Sequence, residues 1–296
     1  MDCFSIGPRT NKIRHIEMSA STRRDFVQGI TLASLIAVTT GTSLSPAFAN
    51  NESAKVLVLG GTGLVGSEVV RQLKNLNIPV VATSRNGRDG TIPLDVTKVN
   101  VEEEVARLAQ GCTSVISTLG AINTPNDLKV NAATGLAAVG AKKAGVKHFV
   151  YLSNAPEVRE SVGQLEFLQG YMQGKAFSEE AIKQQNFDSY TLIQPTFIYG
   201  GDKFGINPPR VVDAYGQLVE GLLSTAPFRV AAEILPGFLG LALEPPVSAR
   251  DVASAAIEGA ISSETMVLDT HDKIVGWPRR QRELESRNKF LTTGAR

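Results

Sequence analysis

Gly60, Gly63 and Gly66 stand at G-x-G-x-x-G spacing in Gly60-Gly-Thr-Gly-Leu-Val-Gly66, directly after the apolar run Val56–Leu59 and directly before a helical pattern. In a strand–turn–helix, one such glycine permits the tight reversal, the next lets backbone N–H groups approach a pyrophosphate, and the third lets the helix pack on the strand. Thr62 lies in that turn, and Leu64 and Val65 open the helix, whose N-terminal N–H groups and positive dipole end attract phosphate. The spacing therefore predicts dinucleotide binding. The second apolar run ends Val80-Val-Ala-Thr-Ser84-Arg85 with no Asp or Glu, where a site for an unphosphorylated ribose places an acid about 20 residues past the glycine loop. Arg85, with Ser84 and Arg88 beside it, instead offers a guanidinium fork to a 2′-phosphate, which predicts NADP(H). Further on, Tyr171 and Lys175 are four residues apart on a helical pattern, so a phenol and an ammonium leave the same face.

The elements that must hold these residues alternate regularly. Apolar β-rich runs recur at Val56–Leu59, Pro79–Thr83, Ile92–Leu94, Ser114–Thr118, Lys147–Leu152 and Tyr190–Ile193, with helical patterns at Leu64–Leu76, Val99–Ala109, Leu128–Ala144 and about Leu165–Gln185. Strands this apolar, joined by helices, predict an α/β fold with a doubly wound parallel Rossmann sheet covered on both faces. Residues 196–246 depart from the pattern with clustered Gly and Pro, and a small C-terminal substrate lobe is expected there. Ser248-Ala-Arg-Asp251 reads as a capping box opening a helix to about Ile261, with Asp in place of the usual Glu. Met266–Leu268 is expected as a last strand and residues 270–296 as a charged tail.

Residues 1–49 read as an address rather than as fold. Arg23-Arg24, the apolar run Ile30–Val38 and Ala47-Phe-Ala49 follow the order of a twin-arginine export signal cut after Ala49. The apolar run is too short for a membrane span. Met18 is an alternative start, which would leave residues 1–17 outside the signal. Such a signal serves the thylakoid lumen or the bacterial periplasm, and the Pro-Ala-Phe-Ala ending favours the chloroplast. Residues 50–296 are then a single domain.

Charge is nearly balanced, with 30 basic and 29 acidic residues, which gives no electrostatic case for nucleic acid. With three histidines and two cysteines in the whole chain, none at ligand spacing, no metal site is expected. Cys3 would leave with the signal and Cys112 reads as a small buried hydrophobe. Glu166, Glu179 and Glu180 read as solvated helix charges.

The chain resembles the short-chain dehydrogenase/reductase superfamily in its extended and atypical branches, from Lys55 to about Leu268. The resemblance is carried by Gly60–Gly66, Ser117-Thr-Leu-Gly120, Val150-Tyr-Leu-Ser153, Tyr171-Met-Gln-Gly-Lys175, Gln194-Pro-Thr-Phe-Ile-Tyr-Gly200 and Val247-Ser-Ala-Arg-Asp-Val252. The nearest flavour is the subgroup of the complex I 39 kDa subunit, a coenzyme Q biosynthesis factor and plant plastid homologues. The mitochondrion is a further location by that analogy. The resemblance implies Tyr171 as acid/base, Lys175 as the group that holds the nicotinamide ribose and lowers the phenol pKa, and Ser153 as donor to the substrate carbonyl. It implies Asp95 at the adenine, Gly120 and Ala121 on the adenosine side, and Pro195 at the cofactor. Thr196 stands where the family pattern has glycine.

The expected function is an NADP(H)-dependent oxidoreductase on an apolar carbonyl, enone or quinone-like small molecule. The alternative is a non-catalytic NADP(H)-binding factor for assembly or stability of a membrane-associated complex. Peripheral attachment to a membrane or complex is compatible with both.

Overall fold

Period-two alternation within each strand sends side chains to opposite faces, and here both faces are apolar. Val56 and Val58 of strand β1 (Val56–Leu59) face one hydrophobic cluster, while Leu57 and Leu59 face the other. The computed structural model describes residues 54–162, 165–201, 205–206, 209–210, 217, 219–220 and 245–278. The expected targeting region 1–49 with its cleavage point, most of the lobe 196–246 and the tail beyond 278 lie outside the described residues.

Helix α1 (Leu64–Asn75) follows β1, then β2 (Val80–Ser84), β3 (Ile92–Pro93), α2 (Val101–Leu108), β4 (Ser114–Ser117), α3 (Asp127–Lys143) and β5 (His148–Leu152). Next come α4 (Pro156–Val162), α5 (Gln169–Gln184), β6 (Ser189–Ile193) and β7 (Ile198–Tyr199). Two short strands, β8 (Gly205–Ile206) and β9 (Pro209–Arg210), precede β10 (Val247–Ser248), α6 (Ala249–Ile261) and β11 (Met266–Leu268). Seven strands form one sheet in the order β11-β6-β5-β4-β1-β2-β3, every pairing parallel. This is a doubly wound Rossmann α/β fold. The strand order reverses between β1 and β4, which are paired from Val56↔Ser114 to Leu59↔Ser117. Ligands bind beyond the carboxyl ends of strands at such a switch point.

The two layers are chemically distinct. On one side Val65, Val69 and Leu73 of α1 meet Val252, Ala256 and Ile257 of α6 over Ile116, Val150 and Ile193. On the other, Val105 of α2, Ala137 and Ala141 of α3 and Ile182 of α5 cover Val115, Phe149 and Leu192. Small residues let α3 and α5 approach closely: a side chain at Gly174 would sit 2.6 Å from Asn131 Cβ. That contact brings Lys175 and Asn131 to the same end of the sheet.

Three details differ from the sequence expectation. Helix α4 was not foreseen, although Pro156 at its first position is a standard helix opening. The long helix expected from Leu165 begins at Gln169, after a single turn at Glu166–Leu168. The tail is not merely charged, because residues 271–278 are helical and bury Ile274 and Trp277 in the core. The Ser248 cap of the expected box is present, with Asp251 N–H donating to Ser248 Oγ at 3.0 Å, but the Asp251 carboxylate accepts from the Ser248 hydroxyl at 2.6 Å where a full box would engage the backbone N–H. Of the lobe, Glu220 accepts from the Tyr199 hydroxyl and pairs with His271 Nε2 at 2.7 Å.

Candidate active site

The glycine loop is built as its spacing predicts. Gly60 takes a left-handed φ of 83°, which glycine adopts without penalty. Its carbonyl accepts from Gly63 N–H at 2.9 Å, while Gly61 N–H reaches the Thr83 carbonyl of β2 at 2.7 Å. Gly66 is turned inward, where a side chain would stand 2.7 Å from Thr118 Oγ1 and nearer still to the Gly60 carbonyl oxygen. Gly66 therefore sets how closely α1 packs, whereas a side chain at Gly63 would meet only the Gly60 carbonyl oxygen, at 3.3 Å. Helix geometry leaves the N–H groups of Leu64, Val65 and Gly66 without intrahelical acceptors, and Gly63 supplies no side-chain cap. The first turn holds no acidic residue, so an anion meets no repulsion there.

Outside this turn lies a cavity of about 340 Å³, lined among others by Gly60, Thr62, Gly63, Ser84, Arg85, Asp95 and Gly120. A second cavity of about 300 Å³ shares Arg85, Asp95, Thr97 and Val130 with it. Arg85 is exposed at both and makes no ion pair among the described residues. Arg88 bends back to donate from Nη2 to the Thr62 carbonyl at 3.2 Å. Ser84 is buried, with its hydroxyl 2.7 Å from that of Thr91. Asp95 turns its Oδ1 onto the N–H and hydroxyl of Thr97 at 3.1 and 2.7 Å, and these bonds hold its carboxyl below the usual range. The carboxylate edge is thus partly spent on its own turn. Ala121 and Pro195 lie outside the lining of both cavities, each engaged through its carbonyl, by Asn131 and by Ala155 N–H respectively.

Gly120 joins the cavity to a buried polar cluster. Its absent side chain would stand 3.8 Å from Lys175 Nζ and 3.6 Å from Asn131 Oδ1. Lys175 spans the carboxyl ends of two central strands, donating to the Leu152 carbonyl at 2.7 Å and to that of Leu119 at 3.3 Å. Its Nζ lies 4.8 Å above the Tyr151 ring and 5.7 Å above the Tyr171 ring. Burial lowers the Lys175 amine to about 7, against an opposing pull from the Glu179 carboxylate. Burial pushes the Tyr171 phenol up to about 12, and the charge that acts downward on it is Arg159. The lowering expected from Lys175 is therefore not what this arrangement produces, because the ammonium is directed at two carbonyls and the ring face.

Ser153 also differs from its expected role. It is buried and its hydroxyl donates to Glu179 Oε1 at 2.5 Å. Glu179, expected as a solvated charge, is only 6% exposed. It accepts from Arg159 Nη2 at 2.8 and 3.1 Å and from Gln194 Nε2 at 2.9 Å. A carboxylate so enclosed needs this full set of donors to offset lost hydration. Glu166 and Glu180 are exposed, as expected. Sequence reasoning missed Arg159, Glu179, Gln194 and Asn131. The signal for Glu179 was its spacing, four residues beyond Lys175 on the same helix face. For Asn131 it was an amide in a helix otherwise built largely of Ala, Gly and aliphatic residues.

Cys112 is a buried thiol that burial pushes up, a hydrophobe in practice. Among the described residues no cluster of His, Cys, Asp or Glu could hold a metal ion, and no helix is long and apolar enough to cross a membrane.

A parallel sheet with a glycine-lined phosphate cradle at its switch point defines a nucleotide-binding Rossmann protein. Residues 60–220 match the NAD(P)H-binding family, and the chain belongs to it. An uncharacterised chloroplastic protein of Arabidopsis thaliana is 30% identical over 244 residues, which cover 76% of this chain and 78% of the relative. The chloroplastic divinyl chlorophyllide a 8-vinyl-reductase of Arabidopsis thaliana is 30% identical over 179 residues, 52% of this chain and 42% of that enzyme. The NAD(P)H azoreductase of Xenophilus azovorans is 29% identical over 150 residues, 48% of each chain. The chain spans less than half the length of these two reductases. A nicotinamide dinucleotide fits the site: the uncapped N-terminus of α1, the cradle over Gly63 and the paired cavities offer an anion-binding turn and room for the rest.

Proposed function

We propose that this chain is an NADP(H)-dependent oxidoreductase whose acceptor is a conjugated carbonyl, enone or quinone-like molecule. The observation that supports it most is Lys175, a buried amine that lies against Leu119 and Gly120 of the nucleotide cavity wall. A bound reduced nicotinamide supplies the hydride. Gly60, Gly63 and the start of α1 hold the phosphates, while Arg85, with Arg88 near it, neutralises the 2′-phosphate and so selects NADP(H). Lys175 orients the ribose, and Tyr171 protonates the reduced acceptor. With its phenol near 12, Tyr171 carries its proton throughout the neutral range and is set up as an acid rather than a base. The two reductases among the relatives support a reducing role.

The second reading is a nucleotide-binding factor without turnover. The commitment of the Ser153 hydroxyl to Glu179 supports it, since the expected carbonyl donor is spent. Tyr171→Phe separates the two. A reductase should lose turnover by ~10²–10⁴-fold with little change in NADPH affinity. A factor that only binds nucleotide should show no effect of Tyr171→Phe in any assay, while Lys175→Ala still weakens NADPH.

We further place the protein in the chloroplast, in the thylakoid lumen by twin-arginine export. Chloroplastic relatives and the order of Arg23-Arg24, Ile30–Val38 and Ala47-Phe-Ala49 support this.

A further inference from the structure

We infer that Arg159 anchors a carboxylate on the substrate, so that the acceptor is a conjugated organic anion rather than a wholly apolar molecule. A guanidinium has five N–H donors. Here Nη2 alone makes the protein contacts, to both oxygens of Glu179 and to the Asn154 carbonyl at 3.3 Å. Nε is buried with no acceptor, and Nη1 donates to none of the described residues. The two N–H groups of Nη1 therefore remain for a ligand. A pair that served only to pin α4 to α5 would use the two-nitrogen fork that arginine favours with carboxylates.

Position and charge point the same way. Glu179 ties Arg159 to Ser153 at the end of β5 and to Gln194 at the end of β6, beyond the carboxyl edge of the sheet where ligands bind. The Arg159 charge reaches both Tyr171 and Lys175. The Glu179 carboxylate thus stands against the Arg159 guanidinium and a Lys175 amine that burial leaves partly charged near neutrality, so a bound anion meets no net negative charge. With the Ser153 hydroxyl spent, Arg159 is the donor left at this carboxyl edge to receive a substrate oxygen, and Glu179 is its positioning residue.

This deepens the proposed reductase reading but is tested without turnover. The full chain, loaded with NADP⁺, is titrated calorimetrically with 2-naphthoate and with 2-naphthamide, which share shape and differ in charge. The wild type should bind the carboxylate about tenfold or more tightly than the amide. Arg159→Gln should level the two affinities, and Arg159→Lys should keep part of the preference. NADP⁺ affinity, measured alongside, should stay unchanged in both variants. Equal wild-type affinities, including no measurable binding of either probe, overturn the inference. So does a preference that survives in Arg159→Gln. Neither probe is reducible, so a protein unable to oxidise NADPH would still show the preference, and an active reductase could still lack it.

Discussion

Replacing Gly66 and Gly63 separately by alanine should dissect the glycine loop into a packing position and a ligand position. At Gly66 the new methyl would fall 2.9 Å from the Gly60 carbonyl carbon and 2.7 Å from Thr118 Oγ1. Ordinary contact lies near 3.5–4.0 Å, so α1 must move out by about 1 Å. The obstacle is backbone, which cannot rotate away. That shift loosens Val65, Val69 and Leu73 from the core, and overpacking of this kind costs roughly 1–3 kcal/mol. For a domain of this size the melting point should fall by about 2–4 °C per kcal/mol. At Gly63 the methyl meets only the Gly60 carbonyl oxygen, at 3.3 Å, and φ is −74°. The fold should lose less than about 1 kcal/mol, the cost of a poorer N-cap. The methyl would instead occupy the phosphate cradle and weaken NADPH by about tenfold or more, ~1.4 kcal/mol. Calorimetric melting of the nucleotide-free protein and fluorescence titration with NADPH read the two effects. A Gly66→Ala protein as stable as wild type, or a Gly63→Ala protein with undiminished affinity, would refute this division of roles.

Arg85→Asp should weaken NADPH by about 2 kcal/mol while sparing NADH, because it deletes a charge-assisted contact and adds repulsion; equal losses for both nucleotides would sink the 2′-phosphate assignment. Glu179→Ala leaves the Arg159 charge in place and strips acceptors from Ser153 and Gln194. It should cost about 2–4 kcal/mol by urea unfolding, the upper range for a broken buried pair being discounted because Arg159 is partly exposed. Lys175 sits at about 7 when folded and near its ordinary value when unfolded, so the unfolded chain binds more protons between those two pH values and stability should rise from about pH 7 towards pH 10. Lys175→Met should lack that rise in urea midpoints. Changing Arg23 and Arg24 together to lysine should leave an uncut precursor on the synthesis side; transport indifferent to the change would show that residues 1–49 do something else.

The sheet was legible because most of its strands are short apolar runs bounded by turn residues, β3 being only the exposed pair Ile92–Pro93. Val56–Leu59 and Met266–Leu268 were placed to the residue, and the glycine loop announces a specific backbone path. Helix α4 was less legible because Pro156 can as easily open a loop as a helix; in the structure Val158 N–H donates to the Ala155 carbonyl at 3.1 Å as the helix opens. Tyr171 and Lys175 were found by spacing, but their electrostatics were not, since these depend on burial and on neighbours remote in sequence. Glu179 shows this most clearly. Its partners Ser153, Arg159 and Gln194 come from three separate segments, and no periodicity within α5 reveals that the carboxylate is enclosed.

The central claim is that this site moves a hydride from NADPH to a conjugated acceptor. Single-turnover reaction of the purified chain with NADPH deuterated at either face of nicotinamide C4, using enones that carry a carboxylate, tests it most directly. Mass spectrometry of the reduced product should show one deuterium on the β-carbon from one of the two labelled faces and none from the other. Tight binding of both labelled nucleotides with no deuterium reaching any product would contradict the claim.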